Sequence, residues 1–254
     1  MTNASCSSFF RLLVAACLMA LVAPPVRADI VINGTRVIYF EKDREITVQL
    51  SNDEKTAPRL VRAWIDGGDV NKTPDQIDVP FTLTPPIFRL DAGKGQALRV
   101  IYTRSDYQGK PLPANKESVF WLNVLAVPPK LAGKASENTV QFAFRTRIKL
   151  FFRPEGMPGQ ADAAPGQLKW KLVADGAGQA LEVTNPSAYH ISFSKVALMQ
   201  GDREIISDAP AMLAPGSTAR YLLKGLTSAP SGAAEVHFSA VDDYGGAQDH
   251  SARL

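Results

Sequence analysis

Cysteine is almost missing from this chain of 254 residues: the only two, Cys6 and Cys17, sit near its start. Both fall in a leader. Arg11 precedes an apolar run, Leu12 to Val22, followed by Pro24, Pro25 and the small-residue site Val26-Arg27-Ala28. That length and order are those of a secretory signal peptide, too short to span a membrane. The sequence predicts cleavage after Ala28, a mature chain starting at Asp29, and export. A mature chain without cysteine in an oxidising space has no structural disulfide, thiol catalysis or thiolate metal site. An antibody-type sandwich pinned by its inter-sheet disulfide is excluded with them.

Catalytic motifs are equally scarce. The three histidines, His190, His237 and His250, are scattered without metal-ligand spacing, and lone histidines in β-domains are more often structural. There is no G-x-S-x-G, P-loop or dinucleotide fingerprint. Gly93-Lys94-Gly95 and Asp242-Asp243 read as turns. No enzyme activity, cofactor or metal is expected. Net charge is small too: +3 overall, of which Arg11 and Arg27 in the leader supply two. Near-neutrality and export both argue against nucleic acid as a partner. No stretch after the leader approaches membrane-spanning length, so the mature protein is expected to be soluble and not membrane-embedded.

What is present is short strands broken by turn residues. Ile30 to Phe40 reads as a strand with a break at Asn33-Gly34, and Glu45 to Ser51 alternates at Ile46, Val48 and Leu50. Leu60 to Asp66 places Val61, Ala63 and Ile65 on one face and Trp64 on the other. Phe81 to Leu90 is interrupted by Pro85-Pro86, which marks an edge or bulged strand. Gln96 to Thr103 follows, then Val119, Trp121, Asn123, Leu125 and Val127 in alternation. Seven or so strands over about 125 residues, with no amphipathic helix, suggest a β-sandwich. Glu155 to Gln167, dense in Gly, Pro and Ala, reads as a linker over about 155–166. Leu168–Val173, Ala180–Thr184, Tyr189–Leu198, Ala219–Leu223 and Ala234–Val241 then suggest a second, smaller all-β domain. Its polar end, Gln248 to Leu254, predicts only a weak last strand.

The longest alternation runs from Val140 to Pro154. Val140, Phe142, Phe144, Ile148, Leu150 and Phe152 share one parity, with Thr146 between them; Arg145, Arg147, Lys149 and Arg153 share the other. One face is apolar and one is a row of cations. Periodicity leaves two readings open: an ordinary antiparallel strand with one face in water, or a strand offered to a partner beside a cation that catches an acid.

Leu112 to Pro129, LPANKESVFWLNVLAVPP, bears on that choice. Leu112, Pro113, Asn115, Lys116, Glu117, Ser118, Val119, Trp121, Asn123, Val124, Val127, Pro128 and Pro129 resemble, in register, a segment shared by the periplasmic pilus-assembly chaperones of the chaperone–usher pathway. Thr84-Pro85-Pro86 with Arg89-Leu90, the run Arg147 to Pro154, and Asp243-Tyr244-Gly245-Gly246 are similar to further motifs of that family. The modest connection after Pro129, KLAGKASENT, without flanking cysteines, resembles the short-loop subclass.

The resemblance implies two immunoglobulin-like β-sandwiches set at an angle with a cleft between them, the first over 29–154 and the second over 167–254. It implies a chaperone that lends an edge strand, about 139–153, to a pilin or fimbrial subunit lacking its own last strand, and delivers it to an outer-membrane usher. Val140, Phe142 and Phe144 would fill the subunit groove. Arg36 and Lys149 would hold the subunit's C-terminal carboxylate, although Arg36 taken alone reads as a solvated surface residue. Glu117, Arg153 and Asp243 would form an interdomain charge cluster; taken singly they are three surface charges worth little. The competing reading is an exported adhesin or carbohydrate-binding sandwich, which would expose loop aromatics instead of a strand edge.

Overall fold

The computed structural model describes residues 29–130, 140–176, 178–208, 210–230 and 232–254. The expected leader with its cleavage site, and residues 131–139 of the connection assigned to the short-loop subclass, lie outside the described residues.

The N-terminal half is a two-layer sandwich. One sheet, in the order β1-β3-β7-β5, contains β1 (Ile30–Ile32), β3 (Ile46–Asn52), β5 (Phe81–Thr84) and β7 (Gly95–Tyr102). The other, in the order β2-β9-β8-β4-β6, contains β2 (Arg36–Phe40), β4 (Arg59–Asp66), β6 (Ile87–Leu90), β8 (Ser118–Val127) and β9 (Phe144–Arg153). The two broken runs of the sequence have one explanation. At Asn33-Gly34 and at Pro85-Pro86 the chain leaves one sheet and enters the other, so each run supplies an edge strand to both layers. Proline at the second crossing costs no ladder hydrogen bond there.

Alternation decides what is buried between the layers. Val61, Ala63 and Ile65 of β4, Phe120, Leu122 and Val124 of β8, and Leu150 and Phe152 of β9 point inward. In β8 the inward residues are thus the ones between Val119, Trp121, Asn123 and Leu125, whose face looks out of the sandwich. An aromatic cluster fills the centre, with Phe81 and Phe120 rings 4.9 Å apart and Tyr102 and Phe152 4.4 Å apart. Buried Tyr39 keeps its hydroxyl satisfied by donating toward the Asp43 and Arg44 carbonyls and accepting from Tyr102 N–H at 3.0 Å, as a buried phenol requires.

β9 is shorter than its sequence pattern. It begins at Phe144 and not near residue 139, because β8 ends at Val127, ahead of Pro128-Pro129, and its last rung pairs Ala126 with Phe144. Among the described residues, Val140 to Ala143 therefore have no neighbouring strand and are not in a ladder.

The C-terminal half has its own core. β10 (Lys169–Asp175), β11 (Gly178–Thr184) and β14 (Thr218–Leu223) form one sheet; β13 (Arg203–Ile206), β12 (Phe193–Gln200), β15 (Glu235–Val241) and β16 (Ala247–Arg253) form the other in that order. Trp170, Phe193, Tyr221 and Phe238 pack between them, with Trp170 and Phe238 5.1 Å apart. Burial pushes the Tyr221 hydroxyl up to about 12. Ala164 is buried in this second core, and Met157 and Ala161 pack against it. The sequence pattern misses β13 and undervalues β16. β16 pairs with β15 over seven rungs from Val241↔Ala247 to Glu235↔Arg253, so backbone pairing forms this strand without an apolar face to announce it.

Candidate functional site

The apolar parity of the long alternation meets two environments. Leu150 and Phe152 are in the core, whereas Val140 is 74% exposed, Phe142 68% and Phe144 61%. Three large apolar side chains in water along one stretch are unusual enough to mark an interaction surface. The backbone beside them is open as well. β2 runs parallel to β9 only from Arg36↔Lys149 to Phe40↔Arg153. From Phe144 to Ile148 the outer edge of β9 has no strand partner among the described residues.

Where that open edge ends, Arg36 and Lys149 lie on adjacent strands in register. Arg36 Nη1 donates to the Val241 carbonyl at 2.8 Å, while its Nε is buried without a partner among the described residues. Burial lowers the Arg36 guanidinium despite the nearby carboxylates of Asp243, Asp242 and Glu117. Burial, and next the charge of Arg36, lower the Lys149 ammonium. Lys149 makes no ion pair among the described residues, unlike Arg145, Arg147 and Arg153. Two half-buried cations side by side, both lowered by burial, form a site suited to a carboxylate.

The other end of β9 is where the two domains meet. Arg153 donates through Nε to Glu117 Oε1 at 2.8 Å, and through both terminal nitrogens to the Asp243 oxygens at 2.6 Å each. Burial alone would lower the Arg153 pKa; the two carboxylates outweigh it and raise it. Glu117 is completed from the second domain. Its Oε2 accepts the His190 backbone N–H at 2.8 Å and lies 2.9 Å from His190 Nδ1. The structure therefore brings Glu117, Arg153 and Asp243 together and adds His190, which sequence reasoning dismissed as scattered. No spacing could have revealed it, because His190 lies far along the chain from Glu117.

Phe151 was also overlooked. It shares the parity of the cations, yet is 2% exposed because the second domain covers it: its ring lies 5.7 Å from that of His190. The Asp243-Tyr244-Gly245-Gly246 turn is seated against Thr35, beside Arg36. Gly245 has φ +89°, and a Cβ there would run into Thr35 Oγ1, so glycine is required both for conformation and for contact. A cavity of about 450 Å³ opens between the domains, lined by Arg36, Phe151, Ile191, Val241, Tyr244 and His250 among others.

This is a two-domain β-sandwich protein with an open strand edge running into a cationic cleft. Residues 29–158 match the family described as pili and flagellar-assembly chaperone, PapD N-terminal domain, and residues 163–252 match the pili assembly chaperone PapD, C-terminal domain. The chain is 43% identical over 239 residues to the chaperone protein FimB/FhaD of Bordetella pertussis, covering 94% of this chain and 93% of that one. It is 44% identical over 229 residues to the probable fimbrial chaperone YadV of Escherichia coli, covering 89% and 90%. The crystal structure of the YadV chaperone superposes with a TM-score of 0.75 at 43% identity, over 89% of this chain and all of that one. The chain belongs to the pilus-assembly chaperone family.

Proposed function

We propose that the protein is exported to the periplasm by its N-terminal leader, where it holds pilin or fimbrial subunits by donor-strand complementation and passes them to an outer-membrane usher. The observation that carries this reading is the coincidence of two deficits. Val140, Phe142 and Phe144 are exposed apolar side chains, and the edge of β9 beside them has no strand partner among the described residues. A subunit sandwich that lacks one strand exposes the reciprocal pair, an apolar groove and an open edge. Joining the two satisfies both.

Arg36 and Lys149 set the register. A subunit's terminal carboxylate held between them would fix which apolar side chain enters which part of the groove, since a slip of two residues moves every one of them. Arg145 and Arg147 take no part in carboxylate capture, because Asp66 already occupies them. Among the described residues no helix is long and apolar enough to cross a membrane. Glu117, Arg153 and Asp243 belong to the frame: they hold the second domain against the end of β9.

The test is co-expression with an exported pilin and recovery from periplasmic extract. A one-to-one complex with the wild type, and its absence with Arg36→Ala, Lys149→Ala double substitution, is the expected result. A glycan bound by the chain alone, with no pilin retained, would instead make this an adhesin.

A further inference from the structure

A second network lies on the face of β9 turned away from the sandwich core, apart from the interdomain cluster. The Arg145 and Arg147 guanidinium carbons stand 4.9 and 4.4 Å from the ring centroids of Trp64 and Trp121. Beneath them lies Asp66, 1% exposed. It accepts Arg147 Nη2 at 2.6 Å and Nε at 3.0 Å, Asn123 Nδ2 at 2.7 Å, and the Gly68 N–H at 2.7 Å. Asn123, fully buried, accepts Arg145 Nε at 2.9 Å, and Arg145 Nη1 donates to the Val70 carbonyl at 3.2 Å. Burial by itself would raise the Asp66 carboxyl; its hydrogen bonds outweigh that and hold it below the ordinary carboxylate range. The network ties β4, β8 and β9 to the turn at residues 67–70. Gly68, at φ +116°, would place a Cβ 3.2 Å from the Trp121 ring, so turn, indole and guanidinium are stacked in contact.

Its position along β9 gives it a consequence. From Lys149 to Phe152 the strand is flanked on both sides, by β8 and β2. From Phe144 to Ile148 it is flanked, among the described residues, by β8 alone, and Arg145 and Arg147 project from this half. A strand held on one side opens easily, and ordering it at the moment of binding costs affinity and rate. Phe144, Thr146 and Ile148 have the opposite parity, so the arginines hold this half from behind without occupying the side a partner would meet.

We propose that Asp66, Asn123, Arg145 and Arg147 are positioning residues that keep the open half of β9 in strand geometry before a subunit arrives. This rests on the reading of β9 as the docking edge. The chemistry requires arginine: the two-nitrogen grip on Asp66 and the planar stack on Trp121 are both unavailable to lysine, which carries the same charge. Arg147→Lys therefore separates geometry from electrostatics.

The test uses the full mature chain with two readouts, hydrogen exchange followed by mass spectrometry and the rate at which an unfolded pilin is captured. For Arg147→Lys, the segment Phe144–Ile148 should exchange about tenfold faster while Phe151–Arg153 exchanges as in wild type. Capture should slow by roughly threefold or more with little change in melting temperature. Faster exchange spread evenly over the sandwich, unchanged exchange at Phe144–Ile148, or unchanged capture overturns the proposal. If Arg147→Lys does not accumulate, Arg145→Lys, at a side chain 32% exposed, is read by the same criteria. A wild-type chain that captures no pilin overturns the docking reading and this one with it. A wild-type chain that captures pilin beside an unaffected variant overturns this one alone.

Discussion

Arg36 and Lys149 are register partners in the parallel ladder between β2 and β9. Two cations side by side, both lowered by burial, gain a counter-charge when a carboxylate binds between them. Arg36→Ala or Lys149→Ala should leave the fold intact and remove stable subunit complexes. Losing one partner of a desolvated charge contact costs about 2–5 kcal/mol, enough to weaken binding by roughly thirtyfold or more. Pull-down of pilin at wild-type levels by both variants would falsify the clamp.

The same pair predicts a pH dependence. Lys149 in the free protein titrates below its ordinary value of 10.5, and a carboxylate bound beside it raises that value by favouring the charged form. Binding is therefore at full strength below the free protein's lowered value and declines as pH rises through the bound one. Titration of a peptide with the subunit's C-terminal sequence, followed from neutral to alkaline pH, should show this loss. Lys149→Arg, which stays charged, should flatten it. An equal alkaline loss in both proteins would assign the effect to another group.

Phe142 and Phe152 share a parity and should behave as opposites. Phe152 is 1% exposed in the core, so Phe152→Ala should cost about 3–5 kcal/mol and threaten folding. Phe142 stands in water, and Phe142→Ser should change the stability of the free chaperone by no more than about 0.5 kcal/mol. Its effect should appear in the periplasm, as loss of the pilin complex. Thermal melting of the free proteins and recovery of the complex check both halves. A Phe142→Ser protein that unfolds while its surviving fraction binds pilin normally would return the stretch to an ordinary structural role.

The interdomain cluster should be unequal in its parts. Glu117 is 3% exposed and serves both Arg153 and His190. Glu117→Ala leaves Arg153 half-paired in a buried setting, at a cost of about 3–5 kcal/mol. The Asp243 side chain is 36% exposed, and loss of its charged hydrogen bonds costs about 1.5–3 kcal/mol at most. Denaturant midpoints should rank the variants in that order. Small-angle scattering should show a broader spread of interdomain angles for Asp243→Ala. Equal midpoints, or scattering identical to wild type, would show that other contacts set the angle.

Much of the architecture was legible because sheet structure writes itself locally. Alternation at Val61, Ala63 and Ile65 marks a half-buried strand wherever the strand ends up, and Pro85-Pro86 or Asn33-Gly34 mark places where it cannot continue. β13 and β16 were not legible for the complementary reason. Ala247–Arg253 owes its strand to a neighbour, β15, whose backbone it completes, and no side-chain pattern encodes that.

The sequence by itself determined the all-β class, the family through its motif from Leu112 to Pro129, and which side chains of the long alternation share a face. Parity, however, states which residues face together and not what faces them. Only the tertiary structure divided one apolar stripe into a buried end at Leu150 and Phe152 and a bare end at Val140, Phe142 and Phe144. Only it gave Arg145 and Arg147 to Asp66, Arg153 to Glu117 and Asp243, and left Lys149 without a carboxylate among the described residues. The physical reason is range. Backbone pattern is set by neighbours in the chain, whereas burial and charge pairing depend on segments such as β2, β4 and the second domain, which folding brings alongside β9 from far away in the chain.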